Sequence, residues 1–204
     1  MQNSAPSHLR EDFLREYSAE DNIRRYMKKT AGHGISYLLE HEYGNIYLEV
    51  IDNFLPKTAG RGMRLLEFGC GAGMNLVHLV AVLESRGTPV EFACGTDFSA
   101  ALIESAKAEA QDALSPQLAT KVQFCVAKNE SLLDDMTREL NISANSLAGS
   151  FDLIFGVNTI RYCHRLKNEN ENAQQVKALL KDHGVCIVID MNDKFPAFRS
   201  RFRD

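Results

Sequence analysis

The spacing of hydrophobic positions changes once along the chain. Up to about Leu55 they recur at helical intervals: Leu9, Phe13, Leu14 and Tyr17, then Ile23, Tyr26 and Met27. Apolar residues three and four apart share one helix face. Ser18-Ala-Glu-Asp21 resembles a capping box that starts the second helix. Ala31-Gly-His-Gly34 breaks it, because two glycines flanking one residue favour a turn. A third helix is predicted from about Ser36 until Pro56.

From Met63 onward, short apolar runs alternate with helical patterns. The predicted strands are Met63–Phe68, Val90–Thr96, Val122–Val126, Phe151–Val157 and Val185–Asp190. The predicted helices are Met74–Ser85, Ala100–Ala113, Ser131–Leu140 and Asn172–Lys181, and Asn141–Ser150 reads as a loop. Such alternation predicts a parallel sheet with helices on both faces, an α/β doubly wound fold. Residues 58–204 are expected to form this domain, and residues 1–57 an N-terminal helical cap.

Composition narrows the class. With 45% hydrophobic and 25% charged residues, the chain is ordinary globular protein. A net charge of -4 argues against a domain that grips nucleic acid by neutralising phosphates. No apolar run approaches the ~18 residues of a membrane helix, and Met1–Arg10 lacks a signal-peptide core. The five cysteines include no Cys-x-x-Cys pair, which suggests a reduced, cytoplasmic protein. His33, His41, His78, His164 and His183 show no zinc-like spacing with cysteine, so no metal site is expected.

The chemistry concentrates in Glu67-Phe-Gly-Cys-Gly-Ala-Gly73, which follows the first strand and opens a helix. Gly69 and Gly71 allow a tight turn and close backbone approach to a ligand, and Gly73 lets the following helix pack closely. A dinucleotide fingerprint needs a third glycine where Met74 stands, and Glu67 would repel a pyrophosphate. An acid there suits a ligand carrying an ammonium and a sulfonium. At the end of the second strand, Asp97 can accept hydrogen bonds from vicinal ribose hydroxyls. It can also cap the next helix, unless Ser99 does so.

On the first motif and Asp97, the stretch from Met63 to Asp190 resembles the class I S-adenosylmethionine-dependent methyltransferases. The resemblance implies a Rossmann-like fold, with Glu67, Gly69, Cys70, Gly71 and Gly73 around the cofactor and Asp97 on its ribose. Phe98 would lie against the adenine or in the core. Ala127-Lys-Asn-Glu-Ser-Leu132 resembles the family's adenine-contacting turn, with Lys128 where an acid is usual. Asn129 or Glu130 is then the candidate for the adenine amino group. Phe151-Asp-Leu-Ile154 resembles the fourth motif, and Asn158 beyond it would face cofactor and substrate.

Candidates for the acceptor side are His33, Tyr37, Tyr162 and His164, with Arg161 and Arg165 as neighbouring cations. The expected activity is methyl transfer to a small molecule. A cofactor-binding but inactive module and a protein or nucleic-acid methyltransferase, with clustered Arg199, Arg201 and Arg203, stay open, and a nicotinamide-linked oxidoreductase is disfavoured. The family adds an antiparallel hairpin after the fifth strand, whereas 14 residues follow Asp190. A shortened chain is therefore expected, or a homo-oligomeric or other partner covering the edge at Val185–Ile189.

Overall fold

The structure is a computed structural model that describes residues 11, 12, 15, 42–55, 61–190, 196–200 and 202. Five strands form one sheet: β1 (Met63–Phe68), β2 (Val90–Asp97), β3 (Val122–Val126), β4 (Phe151–Val157) and β5 (Leu180–Ile189). Their order is β3-β2-β1-β4-β5, and every pairing is parallel. The central strands β1 and β4 are almost wholly buried, which is why both read as continuous apolar runs without alternation.

Nine α-helices lie among the described residues: α1 (Glu42–Phe54), α2 (Met74–Ser85), α3 (Ala100–Ala113), α4 (Pro116–Ala119), α5 (Leu132–Leu140), α6 (Ala144–Leu147), α7 (Ile160–Leu166), α8 (Glu169–Leu179) and α9 (Pro196–Arg199). Two cores separate them by sheet face. Ile51 of α1, Leu76, Val80 and Leu83 of α2, and Ile103 and Ala106 of α3 pack with Leu65 and Leu153 on one side. Met136 of α5, Leu147 of α6, Ile160 of α7, Val176 of α8 and Phe198 of α9 pack with Leu66, Phe68 and Ile154 on the other. Right-handed crossovers require this division: connections leading from β1 towards β3 cover one face, and those around β4 cover the other.

Three differences from the sequence pattern have local causes. The fifth strand begins at Leu180 rather than Val185, because Leu180 already pairs with Phe151 before an irregularity in the register. The helix before it accordingly ends at Leu179 and begins at Glu169. Within the predicted loop, α6 forms one short turn, with Ser143 Oγ accepting from the Ser146 N–H. The helix α7 is not evident in the pattern; it is only seven residues long and carries four basic residues or polar aromatics among its apolar ones. Its start is pinned by Asp190, whose Oδ2 accepts the Arg161 backbone N–H at 3.1 Å.

The N-terminal helices centred on Leu9–Tyr17 and Ile23–Met27 fall largely outside the described residues, and the third corresponds to α1. Among the described residues, the sheet carries no strand beyond β5. No described helix is long and apolar enough to cross a membrane.

Candidate active site

The strand order reverses between β1 and β4, and ligands of open parallel sheets bind at the carboxyl ends of strands at such a point. The loop after β1 builds one wall. Gly69, Gly71 and Gly73 all have positive φ, at 65°, 55° and 78°. Gly69 must also lack a side chain, because a Cβ there would stand 2.3 Å from Thr159 Oγ1 at the end of β4. At Gly73 a Cβ would meet Ala106 and Phe124 at 2.7 Å, so its close packing is against α3 and β3.

Glu67 and Asp97 flank this loop and face different tasks. Glu67 is 0% exposed; its Oε2 accepts the Leu76 N–H at 3.1 Å and its Oε1 accepts Asn75 Nδ2 at 3.0 Å. It therefore supplies the cap that α2 lacks, since Gly73 at the N-cap position has no side chain. Burial pushes its pKa up to about 8, partly offset by these two hydrogen bonds. Asp97 accepts the Ser99 N–H at 2.9 Å on Oδ1 and the Gly71 N–H at 3.0 Å on Oδ2. Ser99 Oγ, rather than Asp97, caps α3 by accepting from Leu102. Each Asp97 oxygen keeps acceptor capacity, since a carboxylate offers about four lone-pair sites. Burial raises Asp97 to about 6. The Cys70 thiol, buried beside both acids, is raised well above its ordinary value by that burial and by their charge.

The opposite wall comes from β3, β4 and the helices after them. Asn158 sits at φ 55°, an uncommon conformation for a non-glycine residue, and its N–H donates to Ile189 O at 2.7 Å. Asn129 opens a single 3-10 turn, and its Nδ2 reaches Thr159 Oγ1 at 3.1 Å and Cys163 Sγ at 3.4 Å. Glu130 accepts Asn168 Nδ2 at 3.0 Å. Phe98 is half-buried just past Asp97.

On α7, the Arg161 guanidinium lies 4.9 Å from the Tyr162 ring centroid and donates to the phenol oxygen at 3.1 Å. The His164 side chain is 62% exposed, and its Nδ1 is hydrogen-bonded to the buried Glu169 carboxylate. His33 and Tyr37 lie outside the described residues. Sequence reasoning did not single out Thr159, Asn172, Glu169 or Asp190. None belongs to a recognisable motif, and each matters through a partner distant in sequence or on another element.

The family profile described as "Methyltransferase domain" matches residues 59–203, which include both walls of this crevice. The chain belongs to the class I methyltransferase family. Among curated relatives, this methyltransferase domain is 26% identical over 155 residues to the citrinin polyketide synthase of Monascus ruber, covering 76% of this chain and 5% of that protein. It is 27% identical over 140 residues to the non-reducing polyketide synthase Preu3 of Preussia isomera, covering 68% of this chain and again 5% of the relative. The chain thus spans a small fraction of the length of these relatives. Among solved structures, the citrinin polyketide synthase CMeT domain aligns at 23% identity with a TM-score of 0.54, over 79% of this chain and 37% of that one. A TehB-like SAM-dependent methyltransferase from Corynebacterium glutamicum aligns at 18% identity with a TM-score of 0.55, over 90% and 82%. At these identities the likeness establishes the methyltransferase fold.

Proposed function

We propose that this domain binds S-adenosylmethionine and transfers its methyl group to a small-molecule acceptor. The observation that carries the reading is Asp97. It is a buried carboxylate at the end of β2, fixed by backbone N–H groups of Ser99, Phe98 and Gly71, the last from the glycine loop itself. That geometry presents a rigid acceptor pair to a vicinal diol beside a loop whose backbone admits close approach. Asp97, raised to about 6, is ionised at neutral pH, and a sulfonium–ammonium ligand bound beside Glu67 would favour release of the proton that burial holds there.

S-adenosylmethionine supplies an electrophilic methyl carbon. The chain's own contribution is to hold the acceptor in line with that carbon and to take a proton where the acceptor must lose one. Glu169 fixes the His164 ring by its Nδ1, and Nε2 is the candidate base. Tyr162, steered by Arg161, is the candidate for orienting an acceptor oxygen. The solved neighbours include the CurJ carbon methyltransferase as well as the citrinin CMeT domain, which favours carbon as the atom methylated. The other acceptor-side candidates, His33 and Tyr37, lie outside the described residues, and the protein would work in the cytoplasm.

Calorimetric titration with S-adenosylhomocysteine tests the cofactor assignment. Wild type is expected to bind in the micromolar range, about -8 kcal/mol, and Asp97→Ala to bind at least tenfold more weakly. A folded wild type that binds nothing would refute the proposal.

A further inference from the structure

The strand order leaves β3 at one edge of the sheet, and a cleft of about 270 Å³ opens there between β3, α3, α4 and the end of α5. Its apolar lining is Ala110, Ala119, Val122, Phe124 and Leu140. Its polar lining is Lys107, Gln111 and Gln123: one cation, two amides and no carboxylate. Lys107 Nζ donates to Glu104 Oε1 at 2.7 Å, but an ammonium carries three donors. The two side chains of that pair are 47% and 72% exposed, so solvent competes for it and it holds the ammonium weakly. Such a lining complements one negative charge on an apolar body, and the volume suits a small one.

β2 separates this cleft from the strand that feeds the glycine loop, and one residue spans the gap. Phe124 lines the cleft, and its ring fills the space that side chains would need at Gly73 and Gly95. A Cβ at those two positions would stand 2.7 and 2.5 Å from Phe124 Cε1. Gly73 is the last glycine of the loop and the N-cap of α2. The ring therefore has the cleft at one end of its residue and the loop at the other.

We infer that the β3-edge cleft is a second binding site, for a small aliphatic carboxylate, and that its occupant tightens the glycine loop through Phe124. The carboxylate is met by the Lys107 ammonium and the amide N–H groups of Gln111 and Gln123, and the chain covers the apolar lining. An occupant packed against Phe124 restricts the ring, and a loop already restricted loses less freedom when the cofactor arrives. The site itself is independent of the S-adenosylmethionine reading above; its effect on cofactor affinity rests on that reading.

The test titrates octanoate into the full chain by calorimetry, with octanamide as the neutral control. Octanoate is expected to bind with a millimolar or tighter Kd, and at least fivefold more tightly than octanamide. Lys107→Gln should remove that preference. Ala119→Leu fills the cleft and should weaken both ligands at least tenfold. Lys107 is exposed, so its variant reports on the charge even where Ala119→Leu disturbs the packing. No octanoate binding, or binding that neither variant weakens, overturns the site. Equal binding of acid and amide, or a preference that survives Lys107→Gln, overturns the carboxylate assignment. Saturating octanoate should shift the Gly73 and Gly95 amide resonances and tighten S-adenosylhomocysteine binding threefold or more, and S-adenosylhomocysteine should tighten octanoate by the same factor. Unmoved resonances, or an unchanged S-adenosylhomocysteine Kd, overturn the coupling through Phe124. A chain that binds octanoate and shifts Gly73 but never binds S-adenosylhomocysteine keeps this site and loses the cofactor reading.

Discussion

The rim at the ends of β1 and β2 and the rim at the ends of β4 and β5 hold their polar groups in different ways. In the first, Glu67 and Asp97 are 0% and 6% exposed, and backbone N–H groups of Leu76, Gly71 and Ser99 fix them. In the second, Arg161, Tyr162 and His164 project from a seven-residue helix, and side chains hold them: guanidinium on phenol, imidazole on carboxylate. A site built on backbone geometry admits few residue types at each position. A site built from side chains on a short helix can exchange them and keep its shape. The first arrangement suits a constant ligand, the second a variable one, which fits a shared cofactor and an acceptor that differs among relatives.

The hardest blow to the first rim is Gly69→Ala. The new side chain would meet Thr159 at contact distances no real Cβ shows, at a φ of 65° that disfavours any Cβ. Left-handed strain of ~1–2 kcal/mol and overpacking of ~1–3 kcal/mol together predict a loss of about 2–5 kcal/mol in denaturant unfolding. A variant within ~1 kcal/mol of wild type would show that the loop yields easily and is not the rigid half of the comparison.

An effect of opposite sign is expected at Glu67. Its pKa rises from 4.5 in the unfolded chain to about 8 in the fold. Between those values the unfolded chain ionises while the fold retains its proton. Folding stability should therefore decline as pH rises from about 4.5, and level off above about 8. A tenfold change in proton affinity corresponds to roughly 1.4 kcal/mol, so the decline is on the order of a few kcal/mol. Glu67→Gln cannot ionise, and its amide can still accept from Leu76 while Asn75 turns to meet its nitrogen. The variant should flatten this part of the stability profile and melt at a higher temperature at pH 8. An unchanged slope would mean that Glu67 is ionised in the fold at neutral pH.

The difference between the rims also explains what the sequence disclosed. The five strands, the glycine loop and Asp97 were legible, because parallel strands buried on both faces need apolar runs and positive φ needs glycine. Local spacing allowed either Asp97 or Ser99 to cap α3, and the structure gives the cap to Ser99 Oγ. The early start of β5 was not legible, since the Leu180–Phe151 pairing is a contact between strands and leaves no periodic trace. Nor was the pairing of Asn129 with Thr159, or of His164 with Glu169. Amides, hydroxyls and imidazoles pair with whatever the fold brings near, and several of these contacts bridge different elements.

Asn158 is where the two kinds of rim meet, and it carries the smallest and most informative prediction. It belongs to the side-chain rim, yet its φ of 55° and its N–H bond to Ile189 are backbone features like those of the glycine loop. Asn158→Ala should cost about 1 kcal/mol, because alanine tolerates the left-handed region poorly. Asn158→Gly should stay within ~0.5 kcal/mol of wild type, since glycine adopts that conformation freely. The glycine variant separates shape from chemistry. If it binds S-adenosylhomocysteine as wild type does, the site uses the residue's backbone turn, and the constant ligand is held by backbone on both rims. If it keeps its stability but loses affinity, the Asn158 amide itself touches the cofactor, and side-chain recognition extends across the crevice from β4.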